Sequence, residues 1–168
     1  MKAQVSIIMG STSDWPIMQK TADFLNEMQI PFEVNALSAH RTPDAVEKFA
    51  KNAKENGIKV IIAAAGMAAH LPGVIAAMTP LPVIGVPIRA SLDGLDSLLA
   101  IVQMPPGIPV ATVGINASLN AGILASQIIG GSDESIFDKT VQYKENLKTK
   151  ITIANQDLAS HTFEFRTN

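Results

Sequence analysis

Five short apolar runs, rich in β-branched residues, recur along this chain at nearly constant intervals. They are Val5–Met9, Phe32–Leu37, Val60–Ala64, Val83–Val86 and Pro109–Val113, and their starts lie 23 to 28 residues apart. Segments with helical periodicity, Pro16–Met28 and Pro43–Glu55, separate the first three runs, and two more short helices are expected between the later ones. This alternation, with near-continuous apolar strands, is typical of right-handed βαβ units around a parallel sheet that is covered on both faces.

Five predicted strands that alternate with helices indicate one particular fold class. We predict an α/β protein with a three-layer α/β/α open sheet, flavodoxin-like, with a five-stranded parallel core. The chain of 168 residues fits a single domain. Asn116–Ile129 is small and apolar on all sides, and Gly130-Gly131 ends it, whereas the helical segment Ser132–Leu158 is rich in charge. We therefore expect an α/β core over 1–131 and a C-terminal helical extension over 132–168.

Charge is unevenly distributed along the chain. Val60–Ile88 and Ser97–Ser132 contain no Asp, Glu, Lys or Arg over 29 and 36 residues. Because prolines interrupt these stretches, we predict no membrane span. Because charged side chains normally cover exposed faces, we assign part of the uncharged surface to contacts in a homo-oligomer. The N-terminus has no signal-peptide pattern, so we predict a cytoplasmic protein. A net charge of −2 gives no electrostatic reason to expect nucleic acid, and the absence of cysteine excludes disulfides, thiolate nucleophiles and Cys-ligated metals.

Polar residues follow the first three predicted strands, at the sheet edge where α/β proteins bind ligands. They lie in Gly10–Asp14, Ser38–Pro43 and Ala65–Gly73. The first loop suits phosphate, because Gly10 permits close approach and three hydroxyls precede a helix, although a capped βα turn has the same composition. Since Asp14 would repel a phosphate, we expect it either to cap the helix or to bind ribose hydroxyls.

The second and third loops hold two of the three histidines. His40 is suited to proton transfer near neutral pH, and the adjacent Arg41 can hold a phosphate or carboxylate. The structural alternatives are that His40 is only a hydrogen-bonded loop histidine and that Arg41 is only a surface cation. His70 could simply cap the helix that follows it, and Thr42 could cap the helix that begins at Pro43. Two histidines without a clear third ligand argue against a metal site, and no G-x-S-x-G motif supports serine hydrolysis. His161, near the C-terminus, is expected to be solvated.

Four motifs in order closely resemble the N5-carboxyaminoimidazole ribonucleotide mutase family of purine biosynthesis (PurE, class I). They are Met9–Asp14, Ser38–Pro43, Ala68–Gly73 and Asp96–Val110, within a resemblance that runs from about Val5 to Ile129. The resemblance implies an isomerase that interconverts N5-carboxyaminoimidazole ribonucleotide and 4-carboxy-5-aminoimidazole ribonucleotide in IMP biosynthesis, by decarboxylation and recarboxylation. It also implies a homo-octamer with a small nucleotide substrate and no metal or organic cofactor.

The resemblance also assigns roles to individual residues. It makes His40 the general acid/base, and it makes Asp14 the acceptor of hydrogen bonds from the ribose hydroxyls. The remaining substrate-binding residues that it implies are Ser11, Ser38 and Arg41 for the phosphate and carboxylate, Ser13 in the same loop as Ser11, and Ala65, Gly66, Ala68, His70 and Leu71 around the imidazole and CO₂. Met67 departs from the family pattern, because many members have a second glycine there, and this leaves the shape of that wall open.

Three other functions are compatible with parts of this sequence. A CO₂-dependent aminoimidazole ribonucleotide carboxylase of the same family shares the fold and motifs, although Asp96–Val110 favours the mutase. A flavodoxin-like FMN-binding module would need aromatic side chains near the later loops, whereas the only Trp and Tyr are Trp15 and Tyr143. A non-catalytic nucleotide-sensing module could share the same loops.

Overall fold

The computed structural model describes residues 2–168 and contains one five-stranded sheet. Its strands are β1 (Val5–Met9), β2 (Phe32–Ala36), β3 (Val60–Gly66), β4 (Val83–Ile88) and β5 (Ala111–Thr112). Every neighbouring pair is parallel, and the spatial order is β2-β1-β3-β4-β5. This is the flavodoxin-like strand order, so the predicted fold class is confirmed.

Helices cover both faces of the sheet. They are α1 (Trp15–Glu27), α2 (Pro43–Asn52), α3 (Leu71–Met78), α4 (Leu95–Val102), α5 (Ser118–Gly130) and α6 (Glu134–Ser160). One apolar cluster packs α1, α5 and the start of α6 on the sheet, and a second packs α2, α3 and α4 on the opposite face. The two clusters make the three layers that the alternation of strands and helices predicts.

The central strands explain the first uncharged stretch. All six residues of β4 are buried, as are the first six of β3, because helices cover both of their faces.

The second uncharged stretch includes α5, which lies close against α1. A Cβ on Gly122 would lie 3.0 Å from the Phe24 ring, so a small residue at this position allows the two helices to approach.

Local details differ from the sequence-based expectations. The predicted strand Pro109–Val113 is reduced to the two residues of β5 at the sheet edge. Asp14 and Thr42 occupy the N-cap positions of α1 and α2, but neither side chain makes a capping hydrogen bond, so the capping interpretation is wrong. Thr42 Oγ1 instead accepts from the Ser38 N–H at 3.0 Å, which closes the loop before α2.

The C-terminal helix α6 is anchored only by its first half. Asp133 caps it by accepting a hydrogen bond from the Ile136 N–H, and Ile136 and Thr140 are buried. The Tyr143 ring packs edge-on against Phe24, with centroids 5.1 Å apart. Residues 144–160 are all exposed. Among residues 2–168, no helix is both long enough and apolar enough to cross a membrane.

Candidate active site

A cavity of about 630 Å³ opens at the carboxyl ends of β1, β2, β3 and β4. Parallel strands place all of their carboxyl ends at one edge, so the loops that follow them converge there. The sequence-predicted site residues in its wall are Ser11, Ser13, Asp14, Ser38, His40, Arg41, Ala65, Gly66, Ala68 and Leu71. His70 is not part of the wall and instead contacts His40. The structure therefore brings together the residues singled out from three separate loops.

The loop after β1 presents hydroxyl groups beside open space. Ser11 Oγ accepts a hydrogen bond from the Ser13 N–H at 3.2 Å, and the Ser13 hydroxyl lies 2.8 Å from it. Apart from Gly10 and its two chain neighbours, no atom of residues 2–168 lies within 4 Å of where a Cβ on Gly10 would stand. A ligand can consequently approach the loop closely at Gly10. Because the Gly10 N–H donates to the Ala64 carbonyl, the serine hydroxyls are the donors that this loop offers to an anion.

Of the residues that the structure describes, Asp14 is the one carboxylate in the wall of the cavity. The residue is only 9% exposed, and this burial raises the pKa of its carboxyl above the ordinary value of 3.8. The Ser13 hydroxyl, 3.3 Å from Oδ1, opposes the rise in pKa by hydrogen bonding to the carboxylate. Because its side chain makes no capping bond, the Asp14 carboxylate has acceptor capacity for ligand hydroxyls.

Arg41 links the loops that follow β1 and β2. Its Nη2 donates to the Gly10 carbonyl at 2.7 Å, and its Nε donates to Ser38 Oγ at 3.3 Å. Ser38 Oγ also accepts from the Arg41 backbone N–H at 3.2 Å. These contacts hold the guanidinium at the cavity and leave further N–H groups for an anionic ligand. The surface-cation alternative for Arg41 is therefore disfavoured.

His40 and His70 form a direct pair. His40 Nε2 lies 2.9 Å from His70 Nδ1, and the ring planes meet at 80°. One of the two facing nitrogens must carry a hydrogen and donate it, while the other accepts the hydrogen bond. His70 occupies the N-cap position of α3, but its side chain makes no capping bond, so the helix-capping alternative is wrong.

The loop after β3 forms a wall of small side chains. A Cβ on Gly66 would lie 3.2 Å from the Ile88 carbonyl oxygen, so this position favours glycine. Met67 has a φ of 56°, a left-handed conformation that glycine adopts without strain. The residue is 61% exposed, at the rim of the cavity. Met67 therefore occupies a backbone conformation that favours glycine, and it lies beside the cavity.

Part of the cavity wall was not predicted from the sequence. Ile17, Ile88, Arg89 and Ala90 also line the cavity, together with Gly10 and Ala39 from the predicted loops. Arg89 is the notable omission, because it follows β4 directly and adds a second arginine to the cavity. The rule that identified the first three loops, ligand binding at carboxyl strand ends, would have found it. Within residues 2–168, no three potential metal ligands among His, Asp and Glu converge.

Comparisons with known proteins find a matching family model and several similar sequences. A family model described as AIR carboxylase matches residues 4–150. The N5-carboxyaminoimidazole ribonucleotide mutase of Thermotoga maritima is 56% identical over 149 residues, which cover 88% of this chain and 87% of that protein. The chloroplastic phosphoribosylaminoimidazole carboxylase of Vigna aconitifolia is 49% identical over 95% of this chain but only 29% of its own length.

A solved structure has the same fold. A crystal structure of a PurE2 variant from Treponema denticola superposes with a TM-score of 0.86. The two sequences are 29% identical, and the match covers 94% of this chain and 99% of that chain. The likeness thus extends over nearly all of both chains.

Proposed function

The chain belongs to the AIR carboxylase family, and we propose that it interconverts N5-carboxyaminoimidazole ribonucleotide and 4-carboxy-5-aminoimidazole ribonucleotide in purine biosynthesis. Family membership confirms the resemblance seen in the sequence motifs and the prediction of an enzyme. The observation that carries the proposal is the convergence of these motifs, from separate loops, on one cavity.

His40 is the proposed general acid/base. The N–CO₂ bond of the carbamate breaks to release CO₂, and the exocyclic amine receives a proton from His40. CO₂ then adds to the ring at C4, and His40 takes up the proton that C4 loses, so the residue ends in its starting state. The position of His40 in the cavity wall and its contact with His70 support this role.

Small apolar side chains suit the intermediate stage of this reaction. Free CO₂ has to be held beside the ring while water is excluded. Ala65, Gly66, Ala68 and Leu71 line the cavity and provide a wall without charge. These residues bind the imidazole and CO₂ in the proposed complex.

The polar part of the cavity binds the nucleotide. Arg41, Ser11, Ser13 and Ser38 supply donors for the anionic groups of the substrate. Asp14 accepts hydrogen bonds from ribose hydroxyls, which need an acceptor and carry no charge to repel it. The Arg41 contacts with Gly10 and Ser38 support this arrangement, because they position the guanidinium before substrate arrives.

Turnover of N5-carboxyaminoimidazole ribonucleotide, generated in situ, tests the proposal. We expect the wild-type protein to convert it and the His40→Asn variant to lose turnover while still binding the nucleotide. Near-normal conversion by His40→Asn would contradict the assignment of the acid/base. The absence of conversion by the wild-type protein would contradict the proposed reaction.

A CO₂-dependent carboxylase is the second candidate, favoured by the name of the Vigna aconitifolia relative. It would start from the uncarboxylated nucleotide. Supplying each substrate with and without bicarbonate separates the two activities. An FMN module is disfavoured, because no Phe, Tyr or Trp from residues 2–168 lines the cavity, and Tyr143 packs on Phe24.

Assembly and location are further parts of the proposal. Leu95, Leu99 and Val102 are exposed on one face of α4, and the last two lie in the second uncharged stretch of the sequence. Their i, i+4, i+7 spacing makes an apolar face suited to contact with another copy. This face supports a homo-oligomer. The number of eight subunits, the cytoplasmic location and the single-domain organisation remain predictions.

A further inference from the structure

Arg89 lies at the cavity on a different side from Arg41. Arg41 follows β2 and Arg89 follows β4, and both line the cavity. In the sheet, β1 and β3 lie between these two strands. The ends of β2 and β4 are therefore three strand spacings apart, which is about 14 Å. The cavity therefore has an arginine on each side.

The backbone of Arg89 is held firmly, although its side chain is exposed. Its N–H donates to Asn116 Oδ1 at 2.9 Å, and the Asn116 N–H donates to the Pro87 carbonyl at 2.8 Å. Asn116 reaches both partners in a left-handed conformation with φ of 57°. A Cβ on Gly94 would lie 3.2 Å from Arg89 Cα, so the next loop also packs closely against it. These contacts fix where the Arg89 side chain leaves the backbone.

The guanidinium of Arg89 has no partner among residues 2–168. The two ion pairs in this range join Lys51 to Glu47 and Lys148 to Glu145, and no hydrogen bond from the Arg89 side chain is formed. Arg41, in contrast, already donates to Gly10 and Ser38. All five N–H groups of Arg89 are thus available to a ligand, in the planar arrangement that matches an oxyanion.

We propose that Arg89 binds an oxyanion of the substrate, so that an arginine on each side of the cavity holds the nucleotide. This inference rests on the proposed function, whose substrate carries two such groups. The phosphate and the carboxylate lie at opposite ends of the nucleotide. The placement of Arg41 and Arg89 on separate sides of the cavity matches this distribution, and Arg89 accordingly contributes to affinity rather than to proton transfer.

Steady-state kinetics of Arg89→Gln and Arg89→Lys test the proposal. We expect Arg89→Gln to raise KM for 4-carboxy-5-aminoimidazole ribonucleotide about tenfold with kcat nearly unchanged, and Arg89→Lys to recover part of the loss. Arg166→Gln is the matched control, because Arg166 lies in the C-terminal segment and bonds to Leu158 and His161 carbonyls there. It should leave KM unchanged.

Calorimetric titrations distinguish the two oxyanions. If Arg89 binds the carboxylate, Arg89→Gln weakens binding of the carboxylated nucleotide but not of aminoimidazole ribonucleotide. If Arg89 binds the phosphate, both dissociation constants rise about tenfold. The proposal is overturned if neither constant rises, or if kcat falls while KM is unchanged. A wild-type protein that binds these nucleotides without turnover would contradict the proposed function, while the comparison of dissociation constants would still decide the role of Arg89.

Discussion

His40 Nε2 and His70 Nδ1 lie 2.9 Å apart, although the two residues are 30 positions apart in the chain. The pair joins the loop after β2 to the start of α3. Nε2 of His40 is occupied by this contact, and Nδ1 of His40 has no hydrogen-bond partner in the described part of the chain. His70 therefore sets the orientation of the ring that we propose to transfer protons.

Removal of the His70 ring should impair the proposed proton transfer. We expect His70→Ala to lower kcat about tenfold or more with little change in KM, because a misoriented His40 transfers protons less efficiently. His70→Asn should retain more activity, since its amide can lie near the Nδ1 position. His161→Ala is the control, because His161 is exposed at the end of α6. A kcat for His70→Ala equal to that of the control would exclude the orienting role.

Gly10→Ala should weaken substrate binding without lowering the stability of the fold. A Cβ at Gly10 would contact nothing in the described part of the chain beyond its two chain neighbours, so the variant should melt at the wild-type temperature or slightly above it. The added methyl group occupies space at the cavity, and we expect KM to rise about tenfold through overlap with the ligand. Gly114→Ala is the control, because its Cβ would lie 3.6 Å from Ala117 Cβ, an ordinary contact. An unchanged KM for Gly10→Ala would show that ligand does not approach this backbone.

The stability of Asp14→Asn should depend on pH in a defined direction. Burial raises the pKa of the Asp14 carboxyl above 3.8, and the Ser13 hydroxyl opposes this only in part. Below pH 3.8 the carboxyl is protonated in both folded and unfolded chains. As pH rises through the folded pKa, the unfolded chain has already released its proton, so the carboxyl of the folded wild-type protein costs stability at neutral pH.

Asp14→Asn removes this cost. The free energy of unfolding of the variant, relative to wild type, should therefore be higher at pH 7 than at pH 4, as measured by urea denaturation at both values. Asp157→Asn, at an exposed position of α6, is the matched control. A relative stability that falls between pH 4 and pH 7 would contradict the burial argument. KM should rise for Asp14→Asn at the same time, because an amide replaces the proposed ribose acceptor.

A charge on the apolar face of α4 should prevent assembly. Leu99 is 44% exposed, so Leu99→Glu has room to fold but would bury an unpaired carboxylate in a contact with another copy. We expect sedimentation velocity to show a smaller species than the wild-type protein. Lys48→Glu, at an exposed position of α2, should leave the assembly intact. A stable, active wild-type monomer would remove this explanation of the uncharged surface.

Much of the fold was predictable from local patterns. The run Val5–Met9 coincides with β1, and each of the other four predicted strands overlaps an observed one. The exception in length is β5, where a Pro-rich segment at the sheet edge forms only two residues of strand. The length of β5 depends on its pairing with a single neighbour, β4, and on the register of that pair. The composition of Pro109–Val113 does not specify this register.

The sequence by itself determined the α/β architecture and the loops that form the cavity, because apolar periodicity sets the elements and parallel strands direct their carboxyl ends to one edge. Only the tertiary structure decided which side chains meet there. The contact of His40 with His70, the bond from Arg41 to the Gly10 carbonyl, and the placement of Arg89 by Asn116 each join loops from different strands. Such contacts depend on strand order, register and side-chain rotamers together, and no local pattern of residues contains that information.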